Sequence, residues 1–259
     1  MPDDVLVITG GGSGIGRSAA LLAAKRGIKV AVLARTAKAV TSVAREAESL
    51  GSPKAVGLVC DVTSPESVES AFEEADLLLG PLNGVFANAG IELSGFAHEV
   101  PLETWDAVIA TNLTGTFLTI RAALRSLLRS GRTGSLVLCS SPASFAGFAA
   151  GAASCYSASK GGISSLVRSL AVDYARYGIR VNAVVPGATD TAMTWTGLSE
   201  AERGLRREQL CSEIPLGRLA DPDEPAEAVL WLLSDQSRYV TGSHLICDGG
   251  ILAKASISV

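Results

Sequence analysis

Short apolar runs rich in Val, Ile and Leu alternate along this chain with longer segments in which apolar residues recur every three to four positions. Unbroken apolar runs are typical of strands buried on both faces of a parallel sheet, and the longer period is typical of amphipathic helices. The runs predict seven strands at residues 5–9, 30–34, 55–60, 84–87, 136–139, 180–185 and 244–247. The helices predicted between them are 16–26, 37–50, 65–79, 102–129, 156–177 and 223–233.

This alternation predicts an α/β fold, a doubly wound parallel sheet of seven strands with helices on both faces. The chain has 259 residues and no segment that resembles a linker, so we expect a single domain over residues 1–259. Hydrophobic residues make up 47% of the chain against 19% charged, which is enough apolar material for a buried core.

The charges are mixed in sign and sum to −4, which argues against a nucleic-acid surface or an anionic-membrane surface as the partner. The first residues, MPDDVLVITG, are acidic where a secretory signal is basic, and their apolar run is too short to span a membrane. We therefore expect a cytoplasmic location.

The cysteines and histidines show no spacing typical of a metal site, so no metal is expected. The two histidines, His98 and His244, are far apart in sequence. The five cysteines are scattered, and we expect them to be small buried hydrophobic residues: Cys60, Cys139, Cys155, Cys211 and Cys247.

A glycine-rich turn, TGGGSGIG, follows the first predicted strand directly. Gly10 ends the strand, and Gly14 and Gly16 open the next helix. Glycines at such a junction allow a tight turn and close approach of the backbone to a pyrophosphate, while the helix N-terminus supplies donors and partial positive charge. The turn predicts a dinucleotide site.

Tyr156 and Lys160 are four residues apart in a predicted helix, so their side chains share one face. Tyrosine, with an ordinary pKa of about 10, is a weak base at neutral pH, and a neighbouring ammonium group favours its phenolate. The pair is therefore a candidate acid/base for proton transfer.

Four motifs occur in a fixed order along the chain: TGGGSGIG, ANAG at 87–90, YSASK at 156–160 and RVNAVVPG at 180–187. Together they resemble the short-chain dehydrogenase/reductase family in its Tyr-Lys form, and the resemblance continues to TGSHLICDGG at 241–250. It implies a Rossmann-type fold and hydride transfer between a nicotinamide cofactor, NAD or NADP, and a ketone or secondary alcohol. It also implies a homotetramer or homodimer built through the helices predicted at 102–129 and 156–177.

The resemblance also implies roles for individual residues around the cofactor. Asp61 and Val62 bracket the adenine, the Asn88–Gly90 segment lies beside the adenosine ribose, and Thr191 meets the diphosphate. The implied cofactor-binding residues are Gly10, Gly12, Ser13, Gly14, Ile15, Gly16, Arg35, Thr36, Asp61, Val62, Asn88, Ala89, Gly90, Tyr156, Lys160, Pro186, Gly187, Thr189 and Thr191.

The end of the second strand bears on cofactor choice. An acidic residue there binds the ribose hydroxyls of NAD and repels the 2′-phosphate of NADP, but this chain has Ala34. Arg35 can donate to a 2′-phosphate and stack on adenine, with Thr36 beside it. NADP is therefore the expected cofactor, although the glycine turn carries Ser13 in place of a second basic residue. The alternative is that Arg35 only caps a surface turn, which would leave NAD possible.

The resemblance assigns Tyr156 as the acid/base and Lys160 as the group that lowers its pKa and holds the nicotinamide ribose. Counting back 13 residues from the tyrosine reaches Ala143, whereas alignment by the preceding strand selects Ser141 as the orienting serine, with Ser140 and Ser144 as alternatives. Asn112, in the long predicted helix 102–129, resembles the asparagine that supports a water link from the lysine to solvent.

Residues 191–215 form a long amphipathic segment after a strand end, which predicts a substrate lid; an ordinary surface helix is the alternative. The small apolar run 144–155 suggests a moderately hydrophobic substrate. The alternatives are a 3-oxoacyl carrier-protein reductase, an NAD-linked polyol or sugar dehydrogenase, and a non-catalytic NADP sensor. Val172 argues against the first, because it stands where such reductases tend to place a carrier-docking arginine.

Overall fold

The computed structural model describes residues 4–148 and 151–254, which build one parallel sheet with helices on both faces. The seven strands lie side by side in the order β3-β2-β1-β4-β5-β6-β7, and every neighbouring pair is parallel. They are β1 (Val5–Thr9), β2 (Lys29–Ala34), β3 (Ala55–Val59), β4 (Gly84–Ala87), β5 (Gly134–Cys139), β6 (Ile179–Pro186) and β7 (His244–Cys247).

The helices are α1 (Gly14–Lys25), α2 (Ala37–Ser49), α3 (Pro65–Leu79), α4 (Leu102–Val108), α5 (Gly115–Ser130), α6 (Ser154–Tyr174), α7 (Glu200–Glu213) and α8 (Asp223–Leu233). Alternate residues of the central strands enter two separate cores. In β1, Val5 and Val7 pack in the core beneath α3, α5 and α6, whereas Leu6 and Ile8 pack in the core beneath α1, α2 and α8. The predicted doubly wound, seven-stranded α/β fold is confirmed.

With one exception, the predicted strands and helices fall within about three residues of the observed ones, and the structure adds α7 within the segment 191–215. The single helix predicted at 102–129 is wrong, because a π-helical segment, Ile109–Thr114, separates α4 from α5. The physical reason is Asn112, whose buried side chain bonds to groups outside the helix. A wider turn of this kind re-aims side chains and is common at functional sites.

The stretch Leu102–Ser130, which contains this π-helical segment, is long and apolar enough to cross a bilayer by length and composition alone. However, 56% of its most apolar window is buried inside the domain. Its residues Leu118, Ala123 and Leu127 belong to the core beneath the sheet. The stretch therefore has the character of a core helix.

The order of the strands determines where a ligand can bind. β1 and β4 are neighbours, but the chain continues from β1 to β2 on one side and from β4 to β5 on the other. The two connections therefore diverge and open a crevice between the carboxyl ends of β1 and β4. The glycine turn, Asn88 and Tyr156 all come from segments at this edge of the sheet.

Candidate active site

The glycine turn packs so closely that side chains would not fit. Gly10 has φ +66°, and a β-carbon there would lie 2.8 Å from the Ala89 Cα; at Gly16 it would lie 2.4 Å from the Gly10 carbonyl oxygen. Ser13 is the N-cap of α1, and its hydroxyl makes no capping hydrogen bond. The backbone donors at the start of α1 therefore face a cradle of the shape a pyrophosphate requires.

Two further segments border this cradle. The Asn88 side chain donates to the carbonyl oxygens of Thr9 and Gly10, at 3.2 Å each, and so ties the end of β4 to the end of β1. On the other side, a β-carbon at Gly14 would lie 3.2 Å from the Thr191 methyl group. The turn, the Asn88 segment and Thr191 thus come together as the sequence predicts, and these residues fit a dinucleotide.

The residues expected at the adenosine end lie at the ends of β2 and β3. Arg35 and Thr36 are exposed, and Gly11 bonds to Leu33 of β2, which places the turn beside them. The Asp61 carboxylate accepts from Thr63 N and Oγ1 at 2.9 and 2.8 Å, and these bonds, more than the charge of Arg35, lower its pKa.

Lys160 is 4% exposed, and its position is fixed by one short contact. Its ammonium group donates to the Cys139 carbonyl oxygen at 2.8 Å and lies 5.5 Å from the centre of the Tyr156 ring. Burial lowers the pKa of Lys160. The pair therefore shares one helix face, as its spacing predicts, and meets the carboxyl end of β5.

The pKa of Tyr156 is raised, chiefly because burial disfavours the phenolate and then because the Glu92 carboxylate lies nearby. The interaction with the Ser141 hydroxyl lowers it, by less. Desolvation therefore dominates the pKa of Tyr156 in this structure, and the lowering of that pKa by Lys160 stays a prediction. At neutral pH the Tyr156 hydroxyl keeps its proton.

The three candidate serines have different surroundings. The Ser140 hydroxyl points to α6, with Ser164 Oγ at 3.0 Å, and the Ser144 hydroxyl donates to the Ser141 carbonyl oxygen at 2.6 Å. The Ser141 hydroxyl accepts from Ala143 N at 3.3 Å; Ser141 lines the same cavity as Tyr156 and lowers the pKa of Tyr156. This geometry favours Ser141 as the orienting serine.

Asn112 is fully buried and clamps three parts of the site together. Its Oδ1 accepts from Ile91 N at 2.8 Å, and its Nδ2 donates to the Ile91 carbonyl oxygen at 2.9 Å and to Ser159 Oγ at 3.1 Å. The segment after β4 is thereby held against α6 at Ser159, the residue that precedes Lys160.

These parts surround one cavity of about 870 Å³. Its wall includes most of the predicted residues: Gly10, Ser13, Gly14, Ile15, Asn88, Ala89, Gly90, Ser141, Tyr156, Lys160, Pro186, Gly187, Thr189 and Thr191. The others lie behind or beside the wall: Gly12, Gly16, Arg35, Thr36, Asp61, Val62 and Asn112. Of the predicted substrate loop 144–155, Ala149 and Ala150 lie outside the described residues.

The predicted lid segment contributes the helix α7, whose residues Arg206, Gln209, Leu210 and Glu213 line the cavity. A capping box starts the helix, since Ser199 Oγ accepts from Glu202 N while the Glu202 carboxylate accepts from Ser199 N. Sequence reasoning missed Glu92 and Arg206 as cavity residues, because no motif marks either.

The prediction that the cysteines are buried holds for two of the five. Cys60 and Cys155 are buried as expected, whereas Cys139, Cys211 and Cys247 are half-buried. Within residues 4–148 and 151–254, no group of three His, Cys, Asp or Glu side chains converges as metal ligands would.

A dinucleotide cradle beside a half-buried tyrosine and a buried lysine is typical of the class of nicotinamide-dependent oxidoreductases. Comparison with known proteins agrees: the family model described as "Enoyl-(Acyl carrier protein) reductase" matches residues 10–252. The chain belongs to the short-chain dehydrogenase/reductase family, which implies a nicotinamide cofactor and chemistry at CH–OH and C=O groups.

Individual relatives match over almost their whole length. "2-(S)-hydroxypropyl-CoM dehydrogenase 3" of Xanthobacter autotrophicus is 37% identical over 254 residues, 98% of each chain. "3-oxoacyl-[acyl-carrier-protein] reductase" of Rattus norvegicus is 37% identical over 249 residues, 96% of this chain and 98% of that protein. A crystal structure of a short-chain type dehydrogenase/reductase from Mycobacterium marinum has a TM-score of 0.90 at 34% identity, covering 96% of this chain and 95% of that one.

Proposed function

We propose that this enzyme interconverts a ketone and a secondary alcohol with NADP(H), and that Tyr156 is the acid/base. The observation that carries the proposal is the joint placement of Tyr156, Ser141 and Lys160 on the wall of the cavity that also contains the glycine cradle. In this arrangement a carbonyl oxygen can meet the Tyr156 hydroxyl while the rest of the substrate lies under α7.

The residues of the site have different roles in the proposed reaction. The bound cofactor supplies or accepts the hydride. In reduction, the protonated Tyr156 hydroxyl donates to the carbonyl oxygen, and its raised pKa keeps that proton available at neutral pH. Ser141 orients the same oxygen. Lys160, fixed by the Cys139 carbonyl, would hold the nicotinamide ribose, and Asn112 positions the segment beside it.

The preference for NADP rests on the end of β2. Ala34 offers no carboxylate to ribose hydroxyls, and Arg35 is exposed next to the turn, where its guanidinium can pair with a 2′-phosphate. Thr36, the N-cap of α2, makes no side-chain capping bond and so has a hydroxyl available. NAD use would follow if Arg35 points to solvent in the complex.

The cavity wall supports a moderately hydrophobic substrate, since Leu93, Phe148, Met193, Leu210 and Ile251 all contribute to it. A second candidate is a 3-oxoacyl carrier-protein substrate, favoured by the rat relative's printed name. Val172 disfavours it, because this residue is 79% exposed on α6 and offers no charge to a carrier. The lid motion, the cytoplasmic location and the homotetramer or homodimer stay predictions.

A panel of ketones and secondary alcohols, assayed with NADPH and with NADH, tests this proposal. We expect turnover of small ketones with kcat/KM at least about tenfold higher for NADPH, which corresponds to about 1.4 kcal/mol. Equal kcat/KM with the two cofactors would contradict the NADP assignment, and cofactor binding without turnover of any compound would favour a sensor.

A further inference from the structure

Two charged side chains of the cavity neither donate nor accept the proton in the proposed reaction. Among the described residues, its charged lining consists of Glu92, Lys160, Arg206 and Glu213. Lys160 belongs to the catalytic pair, and the Glu213 carboxylate accepts from Gln209 Nε2 at 3.1 Å. In that part of the chain, neither Glu92 nor Arg206 has an ion-pair partner within 4.0 Å.

Arg206 differs from the other arginines of α7. Arg203 and Arg207 are exposed, whereas Arg206 is half-buried and faces the cavity. Its one side-chain hydrogen bond among the described residues runs from Nη1 to the neutral Gln209 Oε1, at 3.2 Å. A guanidinium has five N–H donors in a planar fork, so most of the donors of Arg206 remain for a ligand.

The position of Arg206 is set by its neighbour in the helix. Arg207 Nη2 lies 2.7 Å from Asp190 Oδ2, and the Arg207 guanidinium lies 4.9 Å from the centre of the Trp195 ring. The Trp195 indole donates to Asp190 Oδ1 at 2.7 Å and is 8% exposed. These contacts hold α7 over the cavity, so Arg206 is directed inward before any substrate arrives.

Glu92 lies on another part of the cavity wall, in the segment after β4. Glu92 is exposed to solvent and lines the cavity. Partial desolvation by the surrounding protein raises the pKa of its carboxyl group, and the charges of Arg206 and Lys160 lower that pKa by less. Glu92 and Arg206 thus line the same cavity without forming an ion pair with each other. An anion close to Tyr156 would be repelled by Glu92, whereas an anion under α7 would meet Arg206.

We propose that Arg206 is a specificity-determining residue that binds an oxyanion of the substrate, such as a carboxylate. The substrate is then a ketone or secondary alcohol whose anionic group is separated from the reacting carbon by several bonds. This proposal rests on the proposed function and names the substrate class for the same site.

The test compares 5-oxohexanoate, its neutral methyl ester and 2-oxohexanoate in the wild type, in Arg206→Gln and in the control Arg203→Gln. The control removes the same charge from the same helix outside the cavity. We expect the wild type to prefer 5-oxohexanoate to both other compounds. Arg206→Gln should lower kcat/KM for 5-oxohexanoate about 10- to 100-fold, mainly through KM, and change the ester by less than about twofold.

The control variant should leave all three compounds unchanged. Equal loss for acid and ester in Arg206→Gln, or no loss for the acid, would overturn the anion site while leaving the oxidoreductase function standing. Turnover of none of these compounds or of any ketone in the wider panel would contradict the proposed function itself, and with it this inference.

Discussion

The hydrogen bonds of Asn112 give a quantitative prediction for Asn112→Leu. Leucine is of similar volume but replaces none of the three bonds, and it leaves the Ile91 N–H and C=O without their side-chain partner. At about 1 kcal/mol for each bond, the free energy of unfolding should fall by about 3 kcal/mol. For a chain of this size, that loss corresponds to a decrease in Tm of about 6–12 °C.

The assay is thermal unfolding followed by circular dichroism, at one protein concentration because assembly shifts Tm. Ser159→Ala is the matched control: it removes the bond from Asn112 Nδ2 to Ser159 Oγ and keeps both bonds to Ile91, so its Tm should lie between those of the wild type and Asn112→Leu. kcat/KM should fall in Asn112→Leu, since Ile91 follows Gly90 beside Lys160. A Tm for Asn112→Leu within about 2 °C of the wild type would refute the claim that the hydrogen bonds of Asn112 stabilise the fold.

Three further predictions concern the cofactor, the acid/base and the lid. Ala34→Asp combined with Arg35→Ser should lower the ratio of kcat/KM with NADPH to kcat/KM with NADH by at least about tenfold. An unchanged ratio would show that Arg35 does not bind the 2′-phosphate of NADPH. Glu92→Gln removes a negative charge that raises the pKa of Tyr156, so the phenolate forms more easily and the rising limb of alcohol oxidation should move to lower pH; a limb that stays in place or moves up would contradict this sign. Arg207→Gln breaks a half-exposed ion pair worth up to about 1 kcal/mol, so substrate KM should rise by up to about fivefold with cofactor affinity unchanged; an unaltered KM would show that the pair does not hold the lid.

The fold was predictable because its signals are local. Most strands contain a continuous apolar run, and Gly10 and Gly16 of the turn stand where a side chain would collide with a neighbouring backbone. Gly16, for example, has the Gly10 carbonyl oxygen where its β-carbon would be. The spacing of Tyr156 and Lys160 likewise fixes their common helix face without any knowledge of the tertiary structure.

The remaining features depend on contacts between distant segments. The π-helical turn arises because Asn112 bonds to Ile91, and no periodicity in the helix itself marks it. Ser141 ranks above Ser140 because the Ser140 hydroxyl is already hydrogen-bonded to Ser164 of α6, a contact that only the folded chain makes. The raised pKa of Tyr156 follows from burial and from Glu92, and both exist only once the chain has folded.

Tyr156→Phe tests the central claim most directly, because it removes one oxygen atom and leaves the ring in place. NADPH oxidation with the best ketone and NADPH affinity by fluorescence titration would be measured on the same protein. We predict that kcat falls by about 10²- to 10⁴-fold while the dissociation constant for NADPH changes by less than about threefold. A kcat within about threefold of the wild type would contradict the account.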